Sequence, residues 1–109
     1  MPLSQTYVPV AADGNPVEYS LAVVGNHVHV ADLSAKVTLT KPAGATGLLC
    51  QATGTANVRR TNDGTDPTNA LGFRLSWTAN DPTIIPCPGT AIEMIQEAAG
   101  ALLDYVWVK

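Results

Sequence analysis

The stretch Ala56-Asn57-Val58-Arg59-Arg60-Thr61-Asn62-Asp63-Gly64-Thr65-Asp66-Pro67-Thr68-Asn69-Ala70-Leu71-Gly72 decides the fold class. Val58 and Arg60 fall on one face of an extended segment and Arg59 and Thr61 on the other, because side chains alternate along a strand. Asn62-Asp63-Gly64 stops that strand, and Gly64 is able to take the positive φ that tight turns require. Thr65-Asp66-Pro67-Thr68 prolongs the turn. Pro67 fixes its own φ and biases Asp66 toward an extended conformation, while the flanking hydroxyls reach nearby amides. Asp63, Gly64, Asp66 and Pro67 are therefore turn residues, and the stretch encodes a rigid surface loop. It is left by a second short strand, Phe73-Arg74-Leu75, with Phe73 and Leu75 on one face.

The same alternation of strand and turn continues outward. Upstream, Lys36-Val37-Thr38-Leu39-Thr40 places Val37 and Leu39 inward, Pro42-Ala43-Gly44-Ala45 turns the chain, and Thr46-Gly47-Leu48-Leu49-Cys50-Gln51-Ala52 resumes an extended run. Downstream, Asn80-Asp81-Pro82 and Pro86-Cys87-Pro88-Gly89 bracket Ile84-Ile85. Residues 90–100 carry two signals. Thr90 with Glu93 makes a capping box and Ile92 with Ile95 has helical spacing, so the local signals favour a helix, although Ile92 and Met94 also alternate as a strand does. In the terminal segment Leu103, Tyr105 and Trp107 share a face, and Leu102, Val106 and Val108 occupy the other. Both faces being apolar, this strand is expected to be covered on both sides, by a second sheet and by a neighbouring subunit.

Residues 1–31 read as a module in front of a core spanning residues 32–109. Pro9 to Pro16 is turn-rich, Val17, Tyr19, Leu21 and Val23 alternate on one side, and His27-Val28-His29-Val30 is expected to pair back as a hairpin across Val24-Gly25-Asn26. His27 and His29 share a face, but two ligands without a third do not build a metal site, and they are read as solvent-facing or interface residues. The segment before this hairpin is an extended arm. Its apolar side chains Leu3, Tyr7, Val8 and Val10 are candidate contacts for a partner's sheet edge.

Composition narrows the function classes. The chain has 109 residues, the size of one domain with a single modest core. Only 14% of its residues are charged, so much of the surface is neutral and suited to burial in an assembly. A net charge of -3, with Arg59-Arg60 the lone basic pair, gives no electrostatic footprint for nucleic acid. No run of apolar residues is long enough for a membrane helix and no leader pattern is present, so synthesis and retention in cytoplasm are expected. Cys50 and Cys87 lack metal-knuckle or redox spacing and are expected to be free, buried thiols, a disulfide between them requiring a fold that brings them together and an oxidising medium. The aspartates are scattered among turns, and no Ser or Cys has a His placed beside it, so no catalytic residue and no cofactor is assigned.

Several of these segments, taken in order, resemble small structural proteins of tailed bacteriophages. The likeness runs through Pro42-Ala43-Gly44-Ala45, Leu48-Leu49-Cys50-Gln51-Ala52, Asn57-Val58-Arg59, Asp63-Gly64-Thr65-Asp66-Pro67-Thr68, Gly72 and Leu75, and closes on Ala91-Ile92 and the terminal alternating strand. It covers residues 36–109; Arg60 and Asn62 stand where an aromatic and a second charged residue are more usual. The register implied by the resemblance makes Ile92 to Ile95 a strand. It further implies an all-β, jelly-roll-like single-domain β-sandwich with an extended N-terminal arm, belonging to a virion and lacking catalytic residues. The expected role is a capsid decoration or cement protein that binds the major capsid protein on the shell's outer surface, as a homo-oligomer with a trimer the natural choice at three-fold positions. The expected contacts are the arm and the outer face of the terminal strand, Leu102, Val106 and Val108. A head-to-tail or tail-associated adaptor is the first alternative. The second is a carbohydrate-binding module, in which Asp63-Gly64-Thr65-Asp66 would supply carboxylates and Trp77 a stacking ring.

Overall fold

The computed structural model describes residues 22–109, and within them every regular element is a strand. In chain order these are β1 (Val23–Val30), β2 (Val37–Thr40), β3 (Gly47–Gly54), β4 (Val58–Thr61), β5 (Phe73–Leu75), β6 (Thr83–Pro86), β7 (Ala91–Gln96) and β8 (Ala101–Val108). β2, β4, β5 and β6 are three or four residues long, and Gly, Pro or Asx turns follow them closely. Residues 91–96 are strand, as their register implied. Their helical signals are overridden by β2 and β4, which lie on either side and satisfy the backbone of β7.

Two four-stranded antiparallel sheets form, in the orders β1-β8-β3-β6 and β2-β7-β4-β5. Strand pairs nest around the 56–72 stretch: β4 pairs with β5, β3 with β6, β2 with β7 and β1 with β8. This is a long antiparallel hairpin rolled into two sheets, the jelly roll. The β4–β5 connection alone joins strands within one sheet; every other connection crosses between the sheets. The opening stretch is therefore the apex of the roll.

Strand period sets what the layers bury. Leu48, Cys50 and Ala52 of β3 stand opposite Trp107, Tyr105 and Leu103 of β8, and all six turn inward toward Leu39, Ile92, Met94 and Val58 of the second sheet. Leu33, Ala45, Ala56 and Cys87, outside the strands, complete the core. Both cysteines are buried and free.

The N-terminal part differs from its expected form. Val23–Val30 is one continuous edge strand along β8, and Gly25 and Asn26 make a bulge rather than a hairpin turn. Val24 pairs with Trp107 and Val28 with Tyr105, so β1 takes four residue steps where β8 takes two, and Gly25 absorbs the misfit at φ 89°. The first sheet thus draws on residues before the expected boundary at 31/32. The arm and the first half of the expected hairpin lie outside the described residues.

Candidate functional site

The apex loop is held by short-range bonds that its sequence supplies. The Asp63 carboxylate accepts the Thr65 amide at 3.0 Å, and this bond, first, holds its pKa below the usual carboxylate range. Thr61 Oγ1 donates to the Thr65 carbonyl. Asp66 accepts from Lys36 Nζ at 2.7 Å, which ties the loop to the segment before β2, and Pro67 is buried beneath it. On the return, Thr68 Oγ1 accepts the Leu71 amide at 3.0 Å, and Arg59 Nη1 donates to the Gly72 carbonyl at 2.9 Å. Gly72 has φ 119°, and a Cβ there would lie 2.8 Å from the Arg60 carbonyl oxygen, so glycine is required for the loop to rejoin the sheet. All four turn residues read from the sequence sit in this loop.

Two recesses flank the 62–65 turn. One, of about 360 Å³, is lined by Arg60, Thr61, Asn62, Asp63, Thr65, Leu71, Gly72 and Phe73. The other, of about 420 Å³, shares Asn62 and Asp63 and continues over Gly64, Gly89, Thr90, Ala91 and Glu93. In the first, the Arg60 guanidinium stacks over the Phe73 ring at 5.2 Å from its centroid, while 68% of Phe73 remains exposed. The Arg60 Nε is buried without a hydrogen-bond partner, and desolvation lowers the pKa of the guanidinium. Glu93 Oε1, bordering the second recess, is likewise buried and unpartnered.

Other polar side chains latch strands together. Glu97 accepts from Arg74 Nε at 2.7 Å and lies against Arg59, which joins the end of β7 to β4 and β5; these contacts, Arg74 first, lower its pKa. His29 Nδ1 lies 2.8 Å from Asp104 Oδ1 across the β1–β8 pair, so one of the two histidines docks an edge strand. His27 sits in the bulge and is exposed. Among the described residues, no group of three or more His, Cys, Asp or Glu side chains is placed to hold a metal ion.

The expected contact residues fall out as follows. Leu3, Tyr7, Val8 and Val10 lie outside the described residues. Val106 and Val108 do project from β8 away from the second sheet, but they are 1% and 2% exposed, and Leu102 is half-buried. Burial within the single chain already covers these two valines, so they offer no open surface. Exposed large apolar side chains lie instead at Val23 and Val28 on β1, Phe73 on β5, Ile84 on β6, and Leu71 and Trp77 in the loops beside β5. Trp77 does not join the Asp63 cluster: its amide is held by Asn57 Oδ1 before the start of β4, whereas Asp63 follows its end. The ring beside Asp63 is Phe73. Comparisons with protein-family models, with curated proteins and with solved structures give no match to this chain.

Proposed function

We propose that this chain is a non-enzymatic structural protein of a tailed-phage virion, acting as a decoration or cement protein on the outer surface of the capsid. The observation that carries the reading is where its exposed apolar surface lies. Val23, Val28, Phe73 and Ile84 stand on edge strands of a jelly roll, with Leu71 and Trp77 in adjoining loops. Among the described residues these strands have no partner on their outer side, and apolar side chains along a sheet edge favour lateral contact with another protein. The ordered likeness of residues 36–109 to phage structural proteins supplies the setting. A protein that binds only the assembled shell shifts the assembly equilibrium toward it, without chemistry. Repeated placement on a symmetric shell suits a homo-oligomer, with a trimer at three-fold positions.

Quantitative stoichiometry of purified particles tests the reading, with this chain counted against the major capsid protein after heads are separated from tails. A ratio near one retained on tailless heads is the expected result. A ratio of a few per cent would replace cement with the adaptor role, and absence from particles would remove both.

A further inference from the structure

The recess beside the apex loop combines features that the virion role does not use. It offers Phe73, a residue 68% exposed, with Arg60 over its ring at 5.2 Å. Arg60, Thr61, Asn62, Asp63 and Thr65 line the recess with Phe73; the Thr61 hydroxyl is bonded to the Thr65 carbonyl, and the Asp63 carboxylate accepts the Thr65 amide while keeping further acceptor capacity. Its volume of about 360 Å³ is within the range of small-ligand pockets. Its walls are preorganised: the Asp63–Thr65 turn fixes one side, and the Thr68 and Arg59 hydrogen bonds fix the segment leading to Phe73 on the other.

The lining chemistry selects among ligands. Arg60 and Asp63 have opposite charge, so neither an anion nor a cation is favoured throughout the recess. A neutral ligand that both donates and accepts hydrogen bonds, and that has one apolar face for the ring, satisfies every element. We propose that this recess binds a neutral pyranose. The sugar's C–H groups would lie on the part of the Phe73 ring that Arg60 leaves uncovered, where the ring face carries the negative end of its quadrupole. Its hydroxyls would face Asn62, Asp63 and Arg60. Asn62 and Asp63 also border the second recess, where Glu93 Oε1 is buried without a partner, so a second sugar unit would extend over the turn toward Glu93. The site goes beyond the virion role and does not depend on it, since it is complete within one chain.

The test is an amide NMR titration of the isotopically labelled full chain. The probes are D-glucose, D-galactose, D-mannose and N-acetyl-D-glucosamine, followed by the β-1,4-linked disaccharide of whichever binds. Saturable shifts at Arg60 to Thr65 and Leu71 to Phe73 are expected with at least one sugar, spreading to Glu93 with the disaccharide. Phe73→Ala is expected to weaken binding about tenfold while leaving the remaining spectrum unchanged, since that side chain is mostly exposed. Absence of saturable shifts with all four sugars, shifts confined to other regions, or equal binding by Phe73→Ala would each overturn the proposal. Concentration-dependent shifts at these amides without sugar would also overturn it, giving the surface to a second copy of the chain. Particle stoichiometry and sugar binding are read separately, so failure of one reading is not failure of the other.

Discussion

Cys50 points between the sheets with 2% of its surface exposed, and burial pushes its thiol up to about 12. In the unfolded chain the same thiol ionises near about 8.5. Between those values the unfolded state releases a proton that the folded state keeps, so folding stability falls as pH rises, by about 1.4 kcal/mol per pH unit from this group. At about pH 7 and below the thiol is almost fully protonated in both states and contributes almost no slope. Tyr105 on the adjacent strand is raised by burial too, and acts in the same direction. Cys50→Ala is expected to cost about 1 kcal/mol at pH 7 for the atom removed, and to flatten the alkaline slope. Denaturant unfolding of both proteins at pH 7 and pH 10 checks this; equal losses of stability on raising the pH would sink the account. Being protonated and buried, Cys50 is also expected to resist thiol reagents until the chain unfolds.

At the level of elements, the corner between β3 and β4 interlocks with the corner between β7 and β8. Gly54 adopts φ 77°, and a Cβ there would collide with the Gly100 carbonyl oxygen and sit 3.1 Å from the Leu102 amide nitrogen. The Thr55 amide donates to the same Gly100 carbonyl at 3.1 Å, so making space for a Cβ would pull on the bond that joins the two turns. Gly64 has a similar φ of 89° but nothing within 4 Å of an added Cβ. Gly54→Ala is accordingly expected to cost about 2–4 kcal/mol, through strain and clash, and Gly64→Ala about 1 kcal/mol, through backbone conformation alone. Urea midpoints at unchanged m-value would register the difference, and equal shifts would contradict the steric distinction.

The same elements show how far local sequence reaches. The faces of β2, β3, β7 and β8 follow directly from alternation at Val37/Leu39, Leu48/Cys50, Ile92/Met94 and Leu103/Tyr105/Trp107, because period two needs no knowledge of partners. Pairing order does not follow, since no local signal places β8 between β1 and β3. Gly25-Asn26 fits a hairpin or a bulge equally well, and the edge of β8 decides between them. Phe73 alternates with Leu75, yet Leu75 is buried and Phe73 overhangs at the first position of a three-residue edge strand. Periodicity assigns a face; it does not say where the opposing sheet ends. The candidate recess is therefore half legible, through Asp63 and the turn, while its ring is Phe73 and not the Trp77 that the sequence offers.

On the scale of the whole molecule, nested pairing makes β8 indispensable to the first sheet. β8 lies between β1 and β3, and Val23 pairs with Val108 across nearly the entire described chain. Such non-local pairing requires large loops to close before their contacts contribute, and folding on the order of milliseconds to seconds is expected. A chain ending at Gly100 would leave β1 without its partner and expose the inner face of the second sheet, because Leu103 and Trp107 leave with β8. It is expected to lose cooperative unfolding altogether, whereas a structure assembled from independent hairpins would retain the β4–β5 pair and its neighbours. In the intact chain, native-state amide exchange should be slowest in the paired interior strands β8, β3, β7 and β4, and faster at the edges β1, β6, β2 and β5. Protection of β4 and β5 surviving in the truncated chain would show that the apex folds by itself, and that the roll is built outward from it rather than closed as one unit.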